Sequence, residues 1–146
     1  MYNWFQTKVA LDKVQEDGCM KKQSEVYLVD ALNYTEAEAR IIEETAPFSN
    51  GQLEIKDIKH RKFVEVFDSP AESDDKWYEC KVLYVILDEK TCQEKKTPVL
   101  MLVKAGNFDT AVENLHKGMG GSMASYEIHT IKETAILDIF KYKSEK

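Results

Sequence analysis

Trp4 and Trp77 pose the first chemical question. Each opens a run in which Gln or Glu follows two residues later and Lys four residues later: Trp4, Gln6, Lys8 and Trp77, Glu79, Lys81. Side chains alternate along an extended strand, so each trio shares one face. An indole can stack on a base while an ammonium on the same face meets a phosphate, the chemistry of a site for single-stranded nucleic acid or a nucleotide. The same spacing suits a Trp that packs against a helix or a partner subunit. His60-Arg61-Lys62 is the densest basic cluster, and places His60 and Arg61 where they could meet a phosphate at a bend between two β segments. The matching Glu133-Thr134-Ala135 carries no positive charge, so a charged exposed turn is the alternative reading.

Other chemistries find less support. Cys19, Cys80 and Cys92 lack C-x-x-C spacing, and His60, His116 and His129 are scattered, so neither a disulfide framework nor a zinc site is expected. Cys80 falls on an apolar strand face and reads as a buried space-filler. Gly118-Met119-Gly120-Gly121-Ser122 lacks the Lys-Ser/Thr of a phosphate loop and follows a helix instead of opening one, so it reads as a helix stop. The carboxylates cluster in an acidic helix (Glu36, Glu38, Glu43, Glu44), in turns and in a linker, and no acid/base pair stands out. A non-enzymatic protein without a cofactor or metal is the expectation.

The elements that carry these residues come twice, about 73 residues apart. Trp4, Lys8 and Val9 fall on Trp77, Lys81 and Val82; Cys19, Lys22 and Val26 fall on Cys92, Lys95 and Val99. After a one-residue slip, Val29, Ala31, Asn33 and Ala37 fall on Val103, Ala105, Asn107 and Ala111. Ile55-x-x-Ile58-Lys59 matches Ile128-x-x-Ile131-Lys132. Alternation predicts strands over 4–13 and 77–87, with Phe5, Thr7, Val9 and Leu11 on one face of the first, and Tyr78, Cys80, Val82, Tyr84 and Ile86 on one face of the second. Partner strands follow over 25–31 and 98–105, making a hairpin in each half. Thr35-Glu36-Ala37-Glu38 reads as a capping box that opens a helix to about Glu44, and Asp109 reads as the N-cap of a second helix ending near Gly118. Two shorter β segments close each half, 52–59 with 62–67 and 126–131 with 134–140. The Ile-x-x-Ile spacing breaks alternation and predicts a bulge or a sharp bend at the same place in both.

The expected architecture is therefore α+β: two internally duplicated ββαββ units over 3–67 and 76–140, antiparallel sheets with one helix per repeat, and pseudo-two-fold symmetry within a single domain. The polar, proline-interrupted stretch 68–75 reads as a surface linker, and 141–146 as a frayed tail. Each half alone is near the size at which a core becomes marginal, which favours two halves packed together. Exposed terminal strands make a homodimer plausible.

The chain has a net charge of −6. Residues 1–68 carry −4 and 69–146 carry −2, so neither half offers the basic surface of a nonspecific duplex-DNA binder. The first residues lack the basic start and apolar stretch of a secretory signal, and the longest apolar run, 98–103, is too short to span a bilayer. A cytoplasmic protein with no membrane partner is expected.

The pattern Trp4-Phe5-x-x-Lys8-Val9, then Tyr27-Leu28-Val29-Asp30-Ala31-Leu32, Thr35-Glu36-Ala37-Glu38-Ala39-Arg40-Ile41-Ile42-Glu43, and Lys76-Trp77-Tyr78-x-Cys80-Lys81, resembles an uncharacterised family of small proteins from gut-anaerobe (Bacteroides-type) bacteria and their phages. The resemblance covers nearly the whole chain and brings no catalytic residues with it. It implies a phage or mobile-element setting, in which small proteins bind nucleic acid, sequester nucleotides or block host proteins. The first functional expectation is recognition of single-stranded nucleic acid or a nucleotide through Trp4, Lys8, Trp77 and Lys81, with His60 and Arg61 as further contacts. The second is a protein-interaction or host-inhibitor module, using Glu43, Glu44, Asp74 and Asp75 toward a basic partner.

Overall fold

The computed structural model describes residues 3–48, 52–120 and 125–141. Its elements run β1 (Trp4–Val14), β2 (Met20–Asp30), α1 (Tyr34–Thr45), a 3-10 turn (Ala46–Phe48), β3 (Leu53–Arg61), β4 (Phe63–Phe67), β5 (Lys76–Leu87), β6 (Glu94–Ala105), α2 (Phe108–Gly118), β7 (Ser125–Glu133) and β8 (Ile136–Phe140). The result is a mixed α+β structure with two helices and two four-stranded sheets, ordered β3-β1-β2-β8 and β4-β6-β5-β7. The chain divides into two compact units, one of residues 1–62 and 135–146, the other of residues 63–134.

These units differ from the stretches 3–67 and 76–140 by one strand each. β8, from the end of the chain, pairs in parallel with β2. β4, from the first half, pairs in parallel with β6. The sheets are therefore mixed, where antiparallel sheets were expected, and the reason is chain length. β3 is an edge strand, and the slot beside β2 lies three strand spacings away, about 14 Å. Only Lys62 separates β3 from β4, and one linking residue reaches about 7 Å. One residue is also too few for a hairpin turn that would fold β4 back along β3. β7 and β8 are joined by Thr134 and Ala135, a link that reaches about 11 Å and likewise falls short of three strand spacings. Each final strand must leave its own sheet, and arriving from elsewhere in the chain it can run parallel to its new neighbour.

Within each unit the hairpin is long, because alternating apolar side chains give both strands a buried face. The strands of the second positions start earlier than alternation suggested, at Met20 and Glu94 instead of 25 and 98. Cross-strand pairs fix the register: Trp4 faces Asp30 and Val14 faces Met20, while Trp77 faces Lys104 and Leu87 faces Glu94. The one-residue offset thus enters at the turn, five residues (15–19) in one hairpin and six (88–93) in the other. In pairing terms Lys22 corresponds to Lys96 and Val26 to Leu100, one residue on from the Lys95 and Val99 that sequence matching selected. The expected bulges are present: the ladder shifts between Lys8 and Val9 against β3, and between Lys81 and Val82 against β7. Lys56 and His129 are the extra residues, which returns Ile55 and Ile58, and Ile128 and Ile131, to one face.

The helices begin two residues earlier than their sequence signals. Asn33, not Thr35, caps α1 by accepting from the Glu36 amide at 2.9 Å. Asn107, not Asp109, caps α2 by accepting from Thr110 N at 2.8 Å. Both Asn residues are extended, at φ near −158° and −154°, the backbone geometry a cap requires. Ala37 and Ile41 of α1 pack on Phe5, Val9, Leu11, Tyr27 and Val29. Ala111 and Leu115 of α2 pack on Tyr78, Cys80, Val82, Met101 and Val103. The helices thus cover the strand faces that alternation marked as apolar. Of the glycine-rich stretch, Gly118 ends α2 as expected, while Gly121 and Ser122 lie outside the described residues, as does the tail from 142.

Candidate functional site

Strand pairing builds the Trp/Lys faces as the sequence implied, but it does not leave the rings open. Trp4 is 2% exposed and Trp77 3% exposed. Both sit on the strand faces turned away from their helices, and Leu28 and Ala10, on the same face as Trp4, are also buried. A base needs a free ring face, and neither indole offers one. The cation over Trp77 is its cross-strand neighbour Lys104, with Nζ 5.7 Å from the ring centroid, and not Lys81. Lys8 is exposed and Lys81 half-buried. Lys8 and Lys81 therefore lack the stacking surface that gave them meaning.

His60 and Arg61 are adjacent in sequence and diverge in space. His60 pairs with Phe5 across the ladder and Arg61 with Trp4, so they project from opposite faces of β3. The His60 ring lies tilted on Phe5 with centroids 5.1 Å apart, and its Nε2 donates to Asn3 Oδ1 at 2.5 Å. Arg61 donates to Gln6 Oε1 at 3.2 Å. The bend expected beside this cluster is real, at Lys62, but the cluster is not a convergent anion site.

Two polar assemblies were not legible in advance. On the first sheet, Glu25 is buried and accepts from Tyr27 OH at 2.8 Å, Gln23 Nε2 at 3.3 Å and Lys13 Nζ at 2.8 Å. Burial, then the hydrogen bond to Glu25, pushes the Tyr27 hydroxyl well above the usual phenol range. Tyr27 also stacks on Phe140 of β8, centroids 5.4 Å apart. Thr7 Oγ1 donates to the Tyr27 carbonyl at 3.0 Å. The donors and acceptors satisfy one another, as a buried polar cluster must, and they face the end of the helix-covered core.

In the second unit the stretch 68–75 is more than a linker. Asp74 is buried and accepts from Ser69 Oγ at 2.5 Å and from Asn114 Nδ2 at 3.2 Å. Asn114, on α2, also donates to the Lys104 carbonyl at 2.9 Å. Gly106 is required here, because a Cβ would collide with the Ser73 carbonyl oxygen. The same surroundings form a cleft of about 300 Å³ lined by Phe67, Asp68, Ser69, Asn114 and Lys117 among others. The Ser69 hydroxyl, with Asn114, the Gly106 amide and Lys104, holds the Asp74 carboxyl below the usual carboxylate range. A carboxyl lowered on folding adds stability above its unfolded pKa, and that part is lost as pH falls through the folded value. Asp74→Asn is therefore expected to flatten the loss of melting temperature below about pH 4; an acid limb identical to the parent's contradicts this role.

The thiols divide by exposure. Cys19 and Cys92 are exposed in the two hairpin turns, Cys92 at φ 58°. Cys80 is buried, and burial followed by the Glu79 charge pushes its thiol up to about 12. A thiol raised from its ordinary 9.0 favours the fold below pH 9, and that contribution disappears as pH rises toward 12. At pH 8 a maleimide is expected to modify Cys19 and Cys92 and to spare Cys80 until the protein unfolds. Rapid labelling of all three thiols in the native protein contradicts the burial argument. Among the described residues no group of three or more His, Cys, Asp or Glu is placed to hold a metal ion. No helix among them is long and apolar enough to cross a membrane.

Among the described residues, the side chains above converge on no single centre that would fix a chemical class for the chain. Its lineage is clearer, since a family model, Domain of unknown function (DUF4494), matches residues 3–142. The chain belongs to this family. No curated protein matches the chain. Membership in DUF4494 spans both units and both exchanged strands, so the family's matched region is the complete two-sheet arrangement.

Proposed function

We propose that this DUF4494 protein is a non-enzymatic binding module that meets a protein partner through the outer face of α1. The observation that carries this reading is a pair of apolar side chains, Tyr34 and Ile42, left exposed on that helix on either side of Glu38. Tyr34 and Ile42 are 54% and 46% exposed, and the preceding Leu32 is 78% exposed. Tyr34, Glu38 and Ile42 lie four residues apart and so share one side of the helix. Exposed apolar side chains gathered among charges are the usual composition of a docking surface. Here the charges are Glu38 and Glu43, which favours a partner with an apolar contact and a basic rim. Phe108, at the start of α2, is its counterpart to Tyr34, but the following exposed positions of α2 are polar. Of the other acids considered for this role, Glu44 is paired with Arg40 at 3.6 Å and Asp74 is engaged inside its loop, so Glu43 and Asp75 are the better probes.

A photo-reactive amino acid at Ile42, used in the native host, tests the reading. A defined crosslinked protein, lost at raised salt and on Tyr34→Ser or Glu43→Gln, supports it. No adduct beyond that of the same probe placed at Lys8 sinks it. Tryptophan-fluorescence titration with single-stranded oligonucleotides or nucleotides is expected to give no saturable quenching at physiological salt.

The same proposal takes the two halves as copies of one ancestral ββαββ unit, supported by the matched bulges, caps and strand registers. It keeps the phage or mobile-element setting, with a host protein as the natural target.

A further inference from the structure

β4 and β8 read Phe63-Val64-Glu65-Val66-Phe67 and Ile136-Leu137-Asp138-Ile139-Phe140, so both follow the order apolar, apolar, acid, apolar, Phe. Their burial runs identically, with the first residue buried, the next two exposed and the last two half-buried. Their docking matches in detail as well. Phe63 faces Leu100 and Glu65 faces Met101, skipping Val64; Ile136 faces Val26 and Asp138 faces Tyr27, skipping Leu137. Both run parallel to the strand that receives them. Neither can reach the equivalent slot in the sheet its own β3 or β7 belongs to, because one or two linking residues cannot cross three strand spacings.

We propose that the edges of β2 and β6 are two forms of one strand-binding site, specific for this five-residue pattern, and that each accepts the strand from the other half or from a second copy of the chain. The edge supplies main-chain hydrogen bonds, which are indifferent to sequence, and the pocket for the first residue supplies selection. The acid at the third position stays in solvent and discourages insertion in the reversed face, where it would be buried without a partner. Exchange in trans needs only that a final strand come out and dock on a second copy, the low-cost route to dimers that identical elements offer.

Two experiments on the intact chain test this. In the first, β8 receives the sequence of β4 through Ile136→Phe, Leu137→Val, Asp138→Glu and Ile139→Val. The expected variant keeps slow amide exchange over Val26–Val29 and melts within about 10 °C of the parent, the shift an overpacked side chain produces. A control of unchanged composition, Ile136→Asp with Asp138→Ile, loses that protection. Loss of protection in both variants overturns the shared specificity. In the second, chains carrying two distinguishable labels are unfolded together and refolded over a range of concentration. Doubly labelled dimers, growing with concentration and persisting on dilution, are expected. Monomer at every concentration overturns acceptance of a second copy.

Discussion

Trp77→Ala and Trp4→Ala are each expected to lower stability by about 3–5 kcal/mol, the cost of emptying a fully packed aromatic site. Both indoles are almost entirely removed from solvent, and Trp77 also carries the Lys104 ammonium over its ring. The loss should appear in urea unfolding as a lower midpoint, with little change in the dependence on denaturant. Trp→Phe should recover much of it, since most of the buried apolar area returns. If either alanine variant unfolds at the parent's midpoint while losing affinity for a nucleotide or oligonucleotide, the ring is a ligand platform and the packing account fails.

Ending the chain after Ala135 is expected to unfold the N-terminal unit and spare the unit next to the cut. The residues removed include Ile136, buried against β2, and Phe140, which packs beneath α1 and stacks on Tyr27. Losing two such side chains and a strand ladder costs roughly 5 kcal/mol or more, comparable with a domain's whole stability. The backbone carbonyls that Arg40 caps, those of Asp30 and Lys141, would also lose one of their pair. Amide exchange read residue by residue should show fast exchange over β1 and β2 and slow exchange over β5 and β6. Equal loosening of both units, or loosening of β5–β7 alone, contradicts the strand assignment.

How much of this was legible depends on the range of the interaction. The hairpins, both helices and both bulges were readable because alternation and the Ile-x-x-Ile spacing are local signals. The helix starts were missed by two residues because Thr35–Glu38 spells a capping box, while Asn33, already extended after Ala31, reaches the amides first. The destination of β4 and β8 was hidden. Nothing in Phe63–Phe67 names its neighbour, and the decisive quantity, a one-residue link against a 14 Å gap, emerges only once the order of strands is known. The fate of the Trp residues was hidden for a related reason: alternation tells which residues share a face and is silent on what lies over it. The polar groups at Glu25 and Asp74 were only half visible: Tyr27, Gln23 and Ser69 lie close in sequence, but the partners that complete each group, Lys13 and Asn114, are 12 and 40 residues away.

The crossed final strands also set an order of events during synthesis. The second sheet receives β4 from chain already made, so it can close once β7 has emerged from the ribosome. The first sheet, begun earlier, must wait for β8. At about 5–20 residues per second, the 78 residues from Phe63 to Phe140 take about 4–16 s to add. Throughout that interval the nascent protein carries an unfilled β2 edge, so the half that is born first is finished last, and crowded polysomes are where mispairing between neighbouring chains would begin.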